Sequence, residues 1–169
     1  GRRGVAQSFE GGRYAVALEG SGESVRVRPT KLSLAPVAEQ ASGGGVAVSD
    51  EVVAATHRGE EKAVLAWLEG GGRVDATFEY VFSSGERVRG MTLLMIAMMK
   101  GHEGLAEALL QRGADVSLQN SKGDTALNLA AANGFEKLVE LALRHGAEID
   151  QQSNNGYTSL ILAAFYGRP

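Results

Sequence analysis

Glycine, threonine, leucine and alanine recur in the second half of this chain at a spacing of thirty-three residues. Gly90, Gly123 and Gly156 open the pattern. The residues that keep a constant offset from them are Thr92, Thr125 and Thr158, Leu94, Leu127 and Leu160, Ala97, Ala130 and Ala163, and Gly101, Gly134 and Gly167. A fixed period in this range is typical of stacked repeat proteins. Such proteins build extended binding surfaces more readily than catalytic pockets.

The middle copy predicts two short helices followed by an extended loop, which we call a finger. Thr125 is expected to cap the first helix, and Gly134 permits a tight reversal between the helices. Gly146 is expected to end the second helix by adopting the left-handed backbone conformation. Asn155-Gly156 is a residue pair that strongly favours a tight turn, here at the tip of the next finger. The predicted apolar positions are Leu127, Ala130 and Ala131 on the first helix, and Leu138, Leu141 and Leu143 on the second. One such unit cannot bury both helices, so stability must come from stacking, at about 1.5–3 kcal/mol for each buried leucine.

These residues resemble the ankyrin repeat. The resemblance rests on Gly-Asp-Thr-Ala-Leu-Asn-Leu-Ala-Ala at 123–131, Gly-Ala-Glu-Ile-Asp at 146–150, Gly-Met-Thr-Leu-Leu-Met-Ile-Ala at 90–97, Gly-His at 101–102 and Gly-Ala-Asp-Val at 113–116. A weaker first copy begins near Asp50. The resemblance implies a mainly α fold, an ankyrin-repeat solenoid of helix-turn-helix units with β-hairpin fingers. Its expected repeats are 50–86, 87–119, 120–152 and a truncated 153–169.

The copies depart from the family at the corner between finger and first helix. The family usually has proline and histidine there, where this chain has Leu93 and Met95, Ala126 and Asn128, and Ser159 and Ile161. We therefore expect these corners to be less rigid than those of a typical ankyrin array.

An insertion lengthens the finger between the first two copies. Ala76 to Gly90 spans fourteen positions, whereas the equivalent Leu118 to Gly123 spans five. Aromatic and β-branched residues flank Ser83-Ser84-Gly85 within 77–89, which predicts an elongated β-hairpin. It is either a neutral surface insertion or a binding arm, since tyrosine and arginine are favoured at interface hot spots. The arm's candidate residues are Tyr80, Arg87 and Arg89.

The sequence ends at Gly167-Arg168-Pro169, after the first helix of the last copy. Leu160, Leu162 and Phe165 are then expected to lack cover on one side, because no polar capping helix follows. We expect the chain to be a fragment of a longer protein. The alternative is that the open end packs on another copy, so we expect a monomer or weak self-association through this repeat.

Residues 1–36 form a different kind of module. Short strand-like runs at 5–9, 13–18 and 25–28 alternate with Gly-rich turns, which predicts a small antiparallel β module. The pattern resembles small SH3-like β-barrels, and we expect the module to be incomplete at its start. Residues 37–49, with Gly43-Gly44-Gly45, are predicted to be a flexible linker. Six Lys/Arg against three Asp/Glu in 1–36 leave nucleic-acid contact open as an alternative function. The residues for it would be Arg2, Arg3, Arg26, Arg28 and Lys31, although arginines alternating along a strand more often form its solvated face.

The sequence offers little support for catalysis. The chain has no cysteine, which excludes thiol chemistry and fits an intracellular, cytoplasmic protein, with the nucleus left open. The three histidines, His57, His102 and His145, fall in different repeats and are expected to be far apart. We therefore predict no enzyme activity, no metal and no cofactor in this chain. An alternative is that it is the targeting region of a larger enzyme.

The resemblance to ankyrin repeats implies a concave groove lined by finger tips and by exposed positions of the first helices. We predict a non-catalytic scaffold that binds a protein partner there, with nucleic acid unlikely and no membrane contact. The mixture of aromatic, amide and charged side chains suits a protein interface. The candidate residues in this groove are Met91, Lys100, Lys122, Asp124, Asn133, Asn155, Tyr157 and Tyr166.

Overall fold

The computed structural model describes the backbone of residues 4–10, 13–18 and 24–27, and residues 47–168 with their side chains. The chain divides into two compact units, Gly1–Ser42 and Gly43–Pro169.

The first unit contains a three-stranded antiparallel sheet. Its strands are β1 (Gly4–Glu10), β2 (Arg13–Leu18) and β3 (Ser24–Val27), in the order β1-β2-β3. The register of β1 against β2 shifts between Ala6 and Ser8. These strands match the runs predicted from the sequence. The side chains that the nucleic-acid alternative needs, and residues 28–46 with most of the linker, lie outside the described residues, and the likeness to SH3-like barrels stays a prediction.

The second unit is mainly helical, with one β-hairpin. Its elements in chain order are α1 (Asp50–Arg58), α2 (Glu61–Glu69), β4 (Phe78–Val81), β5 (Arg87–Met91), α3 (Leu93–Lys100), α4 (Glu103–Gln111), α5 (Ala126–Asn133), α6 (Glu136–Arg144) and α7 (Ser159–Phe165). None of the helices in the described ranges is long or apolar enough to cross a membrane.

The first helix of every copy begins with the same cap. The hydroxyl oxygens of Ser49, Thr92, Thr125 and Thr158 each accept a hydrogen bond from the backbone N–H three residues later, which satisfies a donor that has no partner within the helix. The first helices end at Gly59, Gly101 and Gly134, with φ of 74°, 80° and 75°. Such positive φ favours glycine. The predicted roles of Thr125 and Gly134 are confirmed.

Consecutive helix pairs pack on one another. The first helices are neighbours in the order α1, α3, α5 and α7, and the second helices in the order α2, α4 and α6. The core between the layers includes Val64, Leu94, Ile96, Leu109, Leu127 and Leu138, which are almost completely buried. The predicted apolar positions on α5 and α6 are buried except Leu143, which is exposed and lines an open groove together with Val139 on α6 and Leu160 on α7. On α7, Leu160 and Phe165 are 75% and 74% exposed.

The long finger is the predicted hairpin. Tyr80 pairs with Val88 across β4 and β5, and the turn is closed by Phe82 N–H to Glu86 O (2.9 Å) and Gly85 N–H to Phe82 O (2.8 Å). Gly85 has φ of 82°, as a three-residue hairpin loop with a terminal bulge requires.

The two later fingers differ from the predicted hairpins, because neither contains a strand. Their tips are tight turns instead: Asn120 N–H bonds to Asp124 O (3.1 Å), and Ser153 N–H bonds to Tyr157 O (2.9 Å). These two bonds are equivalent, since their residues are thirty-three positions apart. The four residues between Leu118 and Gly123 leave too little chain for two paired strands.

Candidate protein-binding surface

The fingers lie side by side through backbone hydrogen bonds. Ser121 N–H donates to Arg89 O (2.8 Å), and Asn154 N–H donates to Lys122 O (2.9 Å). The second bond repeats the first at a spacing of thirty-three residues. Arg89, Lys122 and Asn155 therefore occupy equivalent places on three consecutive fingers, and we call this set the tip row.

Arginines at the hairpin end of the tip row share one carboxylate. Arg87 Nη1 lies 2.9 Å from Glu79 Oε1, and Arg89 Nε lies 3.2 Å from Glu79 Oε2. Hydrogen bonds from Arg89 and then Arg87 hold the pKa of Glu79 below its ordinary value. Both arginine side chains remain largely exposed, so they are available to a partner and carry one net positive charge with Glu79.

Lys122 in the middle of the tip row contacts the long finger. Its Nζ lies 2.8 Å from Glu86 Oε1 and 5.8 Å from the centroid of the Phe82 ring. The lysine thus links the second finger to the first through an ion pair and a cation–π contact.

Tyr80 faces the helices. It is half-buried and stacks on His57 with 6.4 Å between ring centroids, and it meets Phe82 edge-to-face at 4.9 Å. Burial raises the pKa of its phenol. Tyr80 therefore holds the hairpin against α1, and only part of its ring is left for a partner.

A second set of equivalent positions follows the tip row. Met91, Asp124 and Tyr157 are thirty-three residues apart, and their exposure differs. Met91 is fully buried, Asp124 is half-buried and Tyr157 is 44% exposed. Asn120 covers Met91, with its Nδ2 3.5 Å from Met91 Sδ. The prediction of Met91 as a binding residue is wrong for this physical reason, and we leave it out of the surface.

Asp124 sits in a partly enclosed corner. Its backbone N–H donates to Asn120 Oδ1 at 3.0 Å. Burial raises the pKa of its carboxyl, and the positive charge of Lys122 opposes that rise. Its backbone carbonyl also accepts from Asn120 N–H at 3.1 Å, so both of these bonds close the turn of its own finger.

The third set, which we call the helix-end row, consists of Lys100, Asn133 and Tyr166. These residues lie at or just beyond the ends of α3, α5 and α7, and all three are exposed. Asn133 Nδ2 donates to Leu129 O at 2.8 Å, and Tyr166 meets Phe165 edge-to-face at 5.1 Å. Because α3, α5 and α7 are neighbours, the row runs along one side of the helix layer.

His57 and His102 are close in space, although the sequence predicted that histidines of different repeats would be far apart. His102 Nε2 lies 2.9 Å from the backbone carbonyl oxygen of His57. Burial, followed by the positive charge of Lys100, lowers the pKa of His57. Within residues 47–168, His, Asp and Glu form no group of three or more placed to hold a metal ion.

Amide side chains add ties between fingers that the sequence analysis did not assign. Gln119 Nε2 donates to Gln152 O (3.1 Å) and to Gly123 O (2.7 Å), and Asn154 Nδ2 donates to Ser121 O (3.0 Å). Gln119 and Gln152 occupy equivalent positions in successive copies. Their repetition was a visible signal for an inter-finger contact.

A comparison with protein families matches residues 94–169 to ankyrin repeats, described as three copies. The match confirms the resemblance over that part of the chain and does not extend to α1, α2 or the long finger. A comparison with curated proteins found no match. Ankyrin repeats in general mediate protein–protein interactions and are typically non-catalytic.

Proposed function

We propose that residues 50–169 form an ankyrin solenoid with the four repeats given above, and that it is a non-catalytic scaffold for a protein partner. The partner contacts the tip row and the helix-end row together. The observation that carries this proposal is the backbone bonding between successive fingers, because it presents equivalent side chains at regular intervals. Extended surfaces of this kind are what stacked repeats provide.

The chemistry of the two rows changes along the array. Arg89 and Lys122 already have carboxylate partners in Glu79 and Glu86, whereas Lys100 has no ion pair with any of the residues 47–168. The later positions, Asn155 and Tyr166, are uncharged. We infer a partner surface that is acidic where it meets the long finger and α3, and apolar or aromatic where it meets the last copy.

The proposal is tested by affinity capture from lysate of the source cell. The bait is the 169-residue chain, compared with the double variant Tyr157→Ala, Lys122→Glu, and recovered proteins are identified by mass spectrometry. We expect a protein that binds the wild type and is lost from the variant, because one substitution removes an exposed aromatic contact and the other reverses a charge in the tip row.

A matched control reverses a charge elsewhere. Lys62 is exposed on α2, in the other helix layer, so Lys62→Glu should leave capture unchanged. Helical circular dichroism of all variants should match the wild type. Equal recovery of every protein by wild type and double variant would contradict the proposed surface.

A further inference from the structure

The two edges of the β4–β5 hairpin differ in their hydrogen bonding. The outer edge of β5 is covered by the next finger, since Ser121 N–H donates to Arg89 O (2.8 Å) and Arg89 N–H donates to Ser121 Oγ (3.1 Å). Bonded and non-bonded pairs alternate in an antiparallel ladder. The bond from Phe82 N–H to Glu86 O makes the next pair, Val81 and Arg87, a non-bonded pair. The N–H and C=O of Val81 therefore point away from β5, and no residue among 47–168 bonds to them.

A groove of about 410 Å³ lies between this open edge and α1. Its α1 wall is a single stripe at helical spacing, and its other wall is the whole of β4. A groove against one face of a strand would be lined by alternate residues, so lining by four consecutive residues means that the groove follows the backbone edge. The principal lining residues are Asp50, Val53, Ala54 and His57 on α1, and Phe78, Glu79, Tyr80 and Val81 on β4.

The dimensions of the groove suit one extended strand. Four residues of β4 extend for about 13 Å, and the nine residues of α1 have nearly the same length, about 13 Å. A helix bonds its own backbone groups internally, whereas an extended segment offers N–H and C=O groups to the unpaired backbone of Val81. The backbone edge therefore favours an extended peptide over a helix. A second β4 strand has the sequence Phe-Glu-Tyr-Val and carries no basic residue, so the groove fits a segment of a partner protein better than a second copy.

The charges at the groove favour a basic residue in that peptide. Of the charged residues lining it, Arg58 is paired with Glu60, and Glu79 is paired with two arginines. Asp50 has no ion pair with the residues 47–168, and Glu51 lies beside it in the first turn of α1. The end of the groove near Asp50 is thus acidic.

We propose that the open edge of β4 and the α1 groove form a strand-addition site for an extended segment of a partner protein. The segment bonds to the backbone of β4 through Val81, inserts an apolar side chain towards Val53 and Ala54, and places Lys or Arg near Asp50. Main-chain bonds provide affinity in such complexes, and pockets for alternate side chains provide specificity. No residue of the tip row or the helix-end row lines this site, although Glu79 at its wall is paired with Arg89 of the tip row.

The probe is a phage-displayed library of random linear peptides of about twelve residues, selected on the 169-residue chain. Selected peptides should share alternate apolar residues with a Lys or Arg near one end. Each is then synthesised with a single backbone N-methyl group at successive positions. Strand addition requires N–H donors at alternate residues, so methylation should weaken binding at least ~10-fold at every second position of the bound stretch and little at those between.

Two proline variants test the edge on the protein side. Val81→Pro removes the outward N–H without removing a hairpin bond, and it should weaken binding at least ~10-fold. The matched control is Ser83→Pro, two residues away, because Ser83 is the second residue of the turn closed by Gly85 and Phe82 and proline fits there. Ser83→Pro should bind as the wild type does.

Several results would overturn the proposal. They are a failure to select any peptide, an N-methyl scan without two-residue periodicity, and loss of binding in the single variant Tyr157→Ala. Self-association that Val81→Pro abolishes would assign the edge to a second copy instead. If Val81→Pro disturbs the fold by circular dichroism, the N-methyl scan decides, because it leaves the protein unchanged.

Discussion

The imidazole Nε2 of His102 lies 2.9 Å from the backbone carbonyl oxygen of His57, and this contact joins α4 to the end of α1. It belongs to a series, because the residue after each first-helix glycine packs on the equivalent glycine one copy earlier. A Cβ atom on Gly59, Gly101 or Gly134 would lie 2.6, 2.8 or 3.0 Å from the side chain of His102, Phe135 or Arg168. The same junction is thus built three times with three different side chains, and it holds successive copies together.

Replacing His102 with alanine should destabilise this junction. The variant loses a hydrogen bond worth about 0.5–1.5 kcal/mol together with the packing on Gly59. Urea unfolding should show that the free energy of unfolding of His102→Ala is lower than that of the wild type by about 0.5–1.5 kcal/mol or more. His145→Ala is the control, since His145 is exposed and its change should stay within about 0.5 kcal/mol. Equal effects of the two substitutions would mean that the His102 contact does not stabilise the array.

A pair of glycines isolates the contact between fingers. Gly123 and Gly156 both have φ of 76°, but a Cβ on Gly123 would lie 2.6 Å from the backbone nitrogen of Asn154, whereas one on Gly156 meets nothing within 4 Å. Gly156→Ala should cost about 1–2 kcal/mol from left-handed backbone strain alone. Gly123→Ala should cost more, because the finger must also move away from Asn154. Thermal or urea unfolding measures the difference, and its absence would contradict close packing of these fingers.

Asn128 should contribute strongly to stability at the corner of the third copy. Its Oδ1 accepts from Thr125 N–H (3.0 Å) and Thr125 Oγ1 (2.8 Å), and its Nδ2 donates to Ser159 Oγ (3.2 Å) in the next copy. Asn128 is fully buried, so Asn128→Ala leaves buried groups unpaired at a cost of about 1–3 kcal/mol. Asn133→Ala removes only an exposed local bond and should change the unfolding free energy by less than about 0.5 kcal/mol. A small effect of Asn128→Ala in urea unfolding would refute this role.

The Glu79 ion pairs give the long finger a predictable response to pH. The pKa of Glu79 is lower in the folded chain than its ordinary value, so its contribution to stability is present above the pKa of the unfolded chain and is lost as pH falls through the folded pKa. NMR titration of the Glu79 side-chain carboxyl should give a midpoint below that of an ordinary glutamate. Arg89→Gln should raise the midpoint, and a midpoint that this substitution leaves unmoved would show that Arg89 does not hold the carboxylate.

The repeat period predicted the helix pairs because their constraints are local. Thr125 is needed as a cap acceptor and Gly134 for its positive φ, and both needs recur in every copy. The long hairpin was predictable for the same reason, since its turn residues lie next to each other in sequence. Of the three contacts of Asn128 in the third copy, two go to Thr125 and are local. The third was not predictable, because it joins Asn128 to Ser159 across thirty-one positions.

The candidate surface was only partly predictable. Spacing alone identified the equivalent positions at Lys100, Asn133 and Tyr166, and all three are exposed. It could not foresee that Met91 is buried, because the cover comes from Asn120 of the next finger. The groove beside β4 was missed for a similar reason, as it exists only when the hairpin folds back on α1.

Site-specific photocrosslinking tests the proposed binding surface most directly. A benzophenone amino acid replaces Asn133, in the middle of the helix-end row, and in a second sample replaces the exposed Glu140 on α6. After irradiation in lysate of the source cell, we predict a discrete covalent adduct with one partner from position 133 and none from position 140. Adducts of equal yield at both positions, or none at position 133, would contradict the account.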